Sequence, residues 1–519
     1  MPFNLVDYTP SILTISLSFF ILLFLKKTKL TLLITFMCTT SLLMVITYTF
    51  TNHFSRDGFN VAAIIHLKFL FNKITLIQFY KEGLIATISI IIAIVIANKA
   101  YKTQFLPRKI SPIMQVTLLG MTLFFSTISI IINPLTVDVK NLATYYYLTK
   151  KDPLPKEFSN IDSLILKHSI SKPSTYKNFI IIFAESLEST FFKKSLFPDL
   201  TTNLDGLIQD FGIEIDGIKN IEMTNWTYTG IEAALCGSIN LKDNIKFSKK
   251  IKCIGNILEK DNYHLSFIGG SNFAIESKSS LLKTQGFDNI FAFDDIADFH
   301  KKKYKTKLPT QKWGAFDQST FEFANAYLSS ISEQNIQRQG LVLLTVDTHA
   351  PGYISPQCKG LKYKQLNNTL LDSIKCADLM ISSFIKKHID DYDIFLISDH
   401  LYPGSFNITQ KINYDDRSLM FTHLSINHSN IAKKINRLST NLDIAPSILN
   451  RLGYQINNLN FGRNLFNNDQ QTLNESIGFE ALYDNSHKIR DMHKASLEWY
   501  LLKFTQNWLT PNFCYFVVA

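Results

Sequence analysis

The chain has 519 residues, 46% of them hydrophobic, 41 Phe and a net charge of +10. That length suits roughly two to four domains, and so much apolar character excludes an ordinary soluble enzyme of this size. The lysines and arginines form no stripe interleaved with aromatics, so nucleic acid is not the expected partner; the positive balance reads either as a solvated surface or as an attraction for anionic lipid headgroups.

The apolar excess lies at the N-terminus, in the runs Ser11–Leu25, Leu30–Phe50, Leu84–Ala97 and Ile113–Ile132. A membrane helix wants about 17–25 such residues; the second and fourth runs meet this, and the first and third need flanking residues. Met1–Pro10 carries Asp7 and neither Lys nor Arg, unlike the basic start of a signal peptide, so an uncleaved span is expected. Lys26, Lys27 and Lys29 follow the first run, and Lys99, Lys102, Arg108 and Lys109 separate the third from the fourth. The positive-inside rule puts both basic loops in the cytoplasm, and everything after Pro134 outside. Val61–Tyr80 is apolar but broken by His66, Lys68 and Lys73, and reads as an interfacial or buried helix. The expected organisation is a membrane domain over 1–134 with about four transmembrane helices, a linker over 135–175, a catalytic domain over 176–470, and a tail over 471–519.

Beyond the linker, Asn178–Phe183, His264–Ile268, Leu341–Val346 and Asp393–Ile397 are continuous apolar runs that suit buried parallel strands. Helical stretches such as Ser319–Ser332 and Asn368–Lys387 lie between them. The alternation predicts an α/β fold with a mainly parallel sheet flanked by helices. In such sheets the ligand site lies beyond the carboxyl ends of the strands. Glu185, Asp347, His349, Asp399 and His400 all follow strand ends, which places them on one rim.

Thr227 and Thr229 stand at or before the first turn of a helix that includes Ile231–Cys236. A helix N-terminus offers unpaired N–H groups and partial positive charge to a phosphate; the bland alternative is an N-cap. Singly, Glu185 reads as a surface or capping carboxylate, Asp399-His400 as a strand-end pair with local hydrogen bonds, His349 as a loop residue before Ala-Pro-Gly, and Trp313-Gly314 as packing. Together, carboxylates, an imidazole and a hydroxyl make an oxygen-rich site suited to Mn²⁺ or Mg²⁺, with Zn²⁺ also accepted. Such a metal would acidify a Thr hydroxyl, and a covalent phospho-enzyme would divide one transfer into two steps. Four of the six cysteines fall as local pairs, Cys236 with Cys253 and Cys358 with Cys376, at spacings wrong for a Cys-x-x-Cys zinc site. An extracytoplasmic setting allows disulfides among them, with the connectivity left open.

At these residues the chain resembles the alkaline-phosphatase/sulfatase superfamily, in its membrane-anchored branch of lipid headgroup transferases. Within that branch it is similar to the phosphoglycerol transferases of osmoregulated periplasmic glucans. The likeness runs from about residue 178 to 465 and is carried by Phe183-Ala-Glu-Ser-Leu-Glu-Ser, Trp226-Thr-Tyr-Thr-Gly, Trp313-Gly-Ala-Phe-Asp, Val346-Asp-Thr-His-Ala-Pro and Ser398-Asp-His. It implies Glu185, Thr227, Asp399 and His400 as metal ligands, Thr227 as nucleophile and His349 as the histidine at the phosphate or leaving group. Trp313 and Asp317 match positions lining the headgroup pocket, and the cysteine pairs look like those of the subfamily. It implies phosphatidylglycerol as donor, a periplasmic glucan or other sugar as acceptor, and a multi-pass protein of the bacterial inner membrane with its catalytic domain in the periplasm. A phosphoethanolamine transferase or a lipoteichoic-acid-synthase-like transferase of the same fold is the nearest alternative, and a non-catalytic membrane scaffold the alternative of another class. The Cys/Ser-x-Pro-x-Arg segment of true sulfatases is absent. Two departures matter. Thr229 occupies a position usually small and apolar, so two hydroxyls compete, with Thr227 favoured. Leu-Tyr-Pro-Gly after His400 is not the sequence expected of glucan-modifying members, which leaves the acceptor open.

Overall fold

In a computed structural model the described residues are 29–55, 111–133, 169–221, 224, 226–238, 251–271, 282–402, 416–428 and 433–469, with isolated positions elsewhere. Val61–Tyr80, nearly all of the first and third apolar runs, most of the linker and the tail beyond Thr472 lie outside the described residues. The chain divides into two compact units, one drawn from residues 1–153 and one from 154–519.

In the first unit, α1 (Lys29–Ser55) contains the second apolar run and α2 (Pro112–Ile131) the fourth. Ser111 caps α2 by accepting the Met114 N–H, and Pro112 starts it at a position that tolerates a missing donor. With 20 residues α2 is long and apolar enough to cross a membrane. The two helices meet through small side chains: Ser41 Oγ lies 2.6 Å from Ser129 Oγ, and Cys38 Sγ 3.2 Å from Ser126 Oγ. Small residues let apolar helices approach closely and pair their hydroxyls. Ile113, Val116 and Phe124 are exposed on α2.

The second unit runs β1 (Ile170–Ser171), β2 (Phe179–Ala184), α3 (Thr202–Phe211), β3 (Gly212–Lys219), α4 (Thr227–Cys236), α5 (Ile254–Glu259), β4 (His264–Gly269) and β5 (Asn289–Phe291). It continues with α6 (Phe293–Tyr304), β6 (Thr310–Gln311), β7 (Gly314–Ala315), α7 (Asp317–Glu333), β8 (Gln339–Leu344), α8 (Thr369–His388), β9 (Asp393–Ser398), β10 (Leu419–Leu424), β11 (Lys433–Thr440) and α9 (Ile444–Arg451). Eight strands form one sheet in the order β11-β3-β10-β9-β2-β8-β4-β5. Every neighbouring pair is parallel except the two that β10 makes, with β3 and β9. The mainly parallel α/β architecture expected from the sequence is thus present.

The central strands are buried along their whole length in β2, β8 and β9. This is why they read as unbroken apolar runs: helices cover both faces of a parallel sheet, and no position alternates toward water. The strand expected over Leu341–Val346 instead spans Gln339–Leu344. It ends early because the N–H groups of Val346 and Asp347 leave the ladder for the Asp317 carboxylate, at 2.7 and 3.0 Å. Two disulfides settle the cysteine connectivity. Cys236–Cys253 joins the end of α4 to the start of α5, and Cys358–Cys376 joins the loop after β8 to α8. Gly237 ends α4 in the left-handed region (φ 57°), where a side chain would also strike the Leu459 carbonyl.

Candidate active site

Three segments converge at the carboxyl ends of the central strands. Glu185 follows β2 and Asp399-His400 follow β9, which pairs with β2 in parallel and in register, Ala184 against Ser398. The third segment is the N-terminus of α4, with Thr227 as its first residue after the extended Trp226. Gly230 lets this helix seat against β9: a Cβ there would lie 2.0 Å from the Asp399 carbonyl oxygen. Only glycine permits so close an approach.

Thr227 Oγ1 donates to Glu185 Oε2 at 3.0 Å and lies 3.5 Å from His400 Nε2. His400 Nε2 stands 3.3 Å from Glu185 Oε1 and 3.4 Å from Asp399 Oδ2. The other oxygen of Asp399 accepts the N–H groups of Ser186 (2.8 Å) and His400 (2.9 Å). His400 Nδ1 faces the Leu401 carbonyl at 2.9 Å. That contact assigns Nδ1 as donor and turns Nε2 toward the carboxylates, the orientation in which an outer carbonyl usually holds a metal-binding imidazole. Thr229 is set apart: its hydroxyl donates back to the Trp226 carbonyl at 3.2 Å.

The donor set fits a divalent cation. One ligand atom each from Glu185, Asp399 and His400 lies within 4.8 Å of the others, and all three residues are buried. Asp399 Oδ2 is buried and accepts no hydrogen bond among the described residues, a cost that a cation would remove. The electrostatics point the same way. Burial disfavours a charged imidazole, yet the carboxylates of Asp399 and Glu185 push His400 up to about 10. Burial likewise opposes the charge on Glu185, but His400 holds its carboxyl well below the usual range. Burial and then the Glu185 carboxylate push Asp399 up to about 7. The site needs positive charge, and hard oxygen donors with one imidazole suit a small dication.

The support comes from residues beside the ligands to which the sequence assigned no role. Ser186 adopts φ 53°, uncommon for a residue with a side chain, and its hydroxyl donates to Glu185 Oε1 at 2.8 Å. The Glu185 N–H donates to Thr345 Oγ1 at 3.0 Å, and the Thr348 hydroxyl donates to the Glu185 carbonyl. Ser186 and Thr348 lie within motifs that carry the resemblance but have no role assigned by them, and no periodicity marks Thr345.

His349 and Trp313 meet beside the site, their rings 3.9 Å apart between centroids and tilted by 39°. Asp347 and Asp317 form a reciprocal pair beneath the same loop. Asp317 accepts two backbone N–H groups there, and its own N–H donates to Asp347 Oδ2 at 3.2 Å, which also accepts the Ser355 hydroxyl at 2.5 Å. Burial pushes Asp347 up to about 7, while burial and then the Asp347 carboxylate raise Asp317 well above its ordinary value. Both oxygens of Asp317 are occupied in shaping the loop.

Residues 177–454 match the sulfatase family, and the chain belongs to it. Residues 9–152 match the N-terminal domain of phosphoglycerol transferase I. Phosphoglycerol transferase I of Xanthomonas campestris pv. campestris is 26% identical over 479 residues, covering 88% of this chain and 65% of that protein. Phosphoglycerol transferase I of Escherichia coli O127:H6 is 30% identical over 270 residues, covering 48% of this chain and 34% of that protein. The chain thus spans less than two thirds of the length of these relatives. Among solved structures, an alkaline phosphatase superfamily protein from Vibrio parahaemolyticus aligns with TM-score 0.48 and 19% identity, over 64% of this chain and 79% of the other. The integral membrane lipooligosaccharide phosphoethanolamine transferase A of Neisseria meningitidis aligns with TM-score 0.49 and 10% identity, over 81% and 84%.

Proposed function

We propose that this chain is a membrane-anchored phosphoglycerol transferase that works through a covalent phospho-threonine. The observation that carries the reading is the Thr227 hydroxyl, 3.0 Å from Glu185 Oε2 at the N-terminus of α4 and beside His400. The similarity to phosphoglycerol transferase I over 88% of the chain, with the N-terminal domain of that family matched at residues 9–152, supports the group transferred.

Glu185, Asp399, His400 and Thr227 would hold one divalent cation, with Mn²⁺ the first choice and Mg²⁺ or Zn²⁺ the others. Bound there, it would acidify the Thr227 hydroxyl and neutralise phosphate charge. The Thr227 proton, directed at Glu185 Oε2 in the resting geometry, passes to solvent before attack. Thr227 Oγ then bonds to the phosphorus of phosphatidylglycerol, and the bond from phosphorus to the diacylglycerol oxygen breaks. His349 gives that oxygen a proton, which makes diacylglycerol. An acceptor hydroxyl, on a periplasmic glucan or another sugar, next attacks the phosphoglycerol-threonine. His349 takes its proton, and Thr227 leaves and regains its own proton from solvent. The backbone N–H groups at the start of α4 point at the phosphate throughout. Trp313 shapes the headgroup pocket with His349, and Asp317 acts from beneath by fixing the loop that carries His349. Membrane helices in the N-terminal domain keep the site near its lipid donor, raising its effective concentration, with the catalytic domain on the periplasmic side of the inner membrane.

The test is lipid turnover. Purified protein with fluorescent phosphatidylglycerol and Mn²⁺ should release fluorescent diacylglycerol, and EDTA or Thr227→Ala should stop it. Release from phosphatidylethanolamine alone would replace the group transferred. Silence with both lipids, with and without sugar acceptors, would overturn the transferase reading.

A further inference from the structure

One buried ion pair lies behind the site and ties its two ligand-bearing segments together. Glu188 comes three residues after Glu185, and Tyr402 two residues after His400. Arg417 enters from the segment that leads into β10, 229 residues away from Glu188. Its Nε donates to Glu188 Oε1 at 2.8 Å and its Nη2 to Glu188 Oε2, a two-pronged pairing of guanidinium and carboxylate. The backbone of Tyr402 is bracketed by the same pair: its N–H donates to Glu188 Oε2 at 2.8 Å, and its carbonyl accepts from Arg417 Nη2. Neither charge reaches water; the Glu188 side chain is 0% exposed and that of Arg417 2%.

The surrounding bonds extend the tie. Ser189 N–H donates to the Ser418 carbonyl at 3.0 Å. The Ser398 hydroxyl donates to the Leu187 carbonyl at 2.6 Å, and the Met420 N–H donates back to Ser398 Oγ at 2.9 Å. The ends of β2 and β9 are therefore fixed to each other and to the start of β10 immediately behind Glu185, Asp399 and His400. A buried ion pair stabilises a fold little more than well-packed apolar side chains of the same size would. What such a pair supplies, and an apolar pair would not, is a fixed backbone position at Tyr402.

We infer that Glu188 and Arg417 are positioning residues for the metal centre: through Tyr402 they set the distance between the Glu185 and the Asp399-His400 ligands. The inference rests on the metal-centre reading proposed above. Partners one layer behind a metal's ligands typically change its affinity by about 10–100-fold when removed.

The experiment measures Mn²⁺ binding by titration calorimetry on the full chain in detergent, in the absence of lipid. Four proteins are compared: wild type, Glu188→Met/Arg417→Leu, Arg417→Lys and Glu185→Gln. The Met/Leu double variant leaves no buried charge unpaired but takes the Glu188 and Arg417 partners away from the Tyr402 N–H and carbonyl, so it should still fold, with a melting temperature moderately below that of wild type. Its Mn²⁺ affinity should fall by about 10-fold or more. Arg417→Lys keeps the charge but loses the fork, and should fall between the two; it decides the matter if the double variant does not fold. A folded double variant, or Arg417→Lys, with wild-type Mn²⁺ affinity would overturn the positioning role while leaving the metal centre intact. Failure of wild type to bind Mn²⁺ more tightly than Glu185→Gln would overturn the metal reading and this role with it.

Discussion

The Thr227 hydroxyl and the Glu185 carboxylate, 42 residues apart in the chain, are joined by a hydrogen bond of 3.0 Å. One ends the first central strand and the other begins a helix seated against the neighbouring strand, so the contact reports the alignment of three elements at once. Thr229, two residues on, turns its hydroxyl back onto the Trp226 carbonyl. The two threonines should therefore behave very differently. Thr227→Ala is expected to lower diacylglycerol release by about 10³-fold or more, the scale seen when a covalent nucleophile is removed, whereas Thr229→Ala should keep turnover within a few-fold of wild type. The same assay run on both variants checks this, and a larger loss at Thr229 would reverse their roles.

Gly230 is the point where α4 touches the backbone of Asp399. Gly230→Ala would place a Cβ 2.0 Å from that carbonyl oxygen, so the helix must move away from β9. A loss of about 1–3 kcal/mol in stability is expected, as for other overpacked cores. The shift also carries Thr227 away from Glu185 and His400, so turnover should fall by more than the population of folded protein does. Thermal melting and lipid turnover, measured side by side, separate the two effects.

A second buried polar cluster lies toward the opposite end of the sheet and predicts acid sensitivity. Arg451 donates to both His423 Nδ1 (3.0 Å) and His428 Nε2 (2.6 Å), and His423 Nε2 lies 3.6 Å from Asp393. Burial holds His423 down to about 4, against the pull of Asp393. A depressed folded pKa means that the unfolded chain binds a proton which the folded one refuses. Stability from His423 is therefore complete above about pH 6.5 and is lost as pH falls toward 4, by about 1.4 kcal/mol per pH unit. His423→Gln should flatten the fall in melting temperature across that window. An unchanged slope would mean that other groups set it.

The disulfides close loops with sequence separations of 17 and 18 residues. On the loop-entropy account each adds about 3 kcal/mol. Reduction, or Cys358→Ala with Cys376→Ala, is expected to lower the melting temperature measurably, and insensitivity to reductant in a fully oxidised sample would contradict this.

The parts legible in the sequence share one physical cause. β2, β4, β8 and β9 are covered on both faces, so burial wrote them as unbroken apolar runs, and Glu185, Asp399 and His400 stood out as the polar residues at their ends. β3 does not stand out among the unbroken apolar runs, because Gly212–Lys219 alternates Ile213 and Ile215 with Glu214 and Asp216, the pattern of a strand buried on one face only. Nor was the reversed direction of β10, which is set by its neighbours across the sheet rather than by anything within Leu419–Leu424. The resemblance favoured Thr227 over Thr229, and the fold turns the Thr227 hydroxyl to Glu185 and that of Thr229 to the Trp226 carbonyl. Asp317 resembled a pocket residue by motif, whereas its oxygens are spent on the Val346 and Asp347 N–H groups. Glu188 and Arg417 pair across 229 residues, a distance no local pattern reports.

A covalent route through Thr227 leaves the phosphoglycerol group on that residue between the two transfers, where it can be sought directly. The full chain would be incubated briefly with Mn²⁺ and phosphatidylglycerol, without acceptor, then quenched in acid and digested for mass spectrometry. A glycerophosphoryl adduct is expected on Thr227, one that disappears when a sugar acceptor is added before quenching and never forms in Glu185→Gln. Diacylglycerol release with the adduct on Thr229, or with no adduct at any residue under single-turnover conditions, would contradict it.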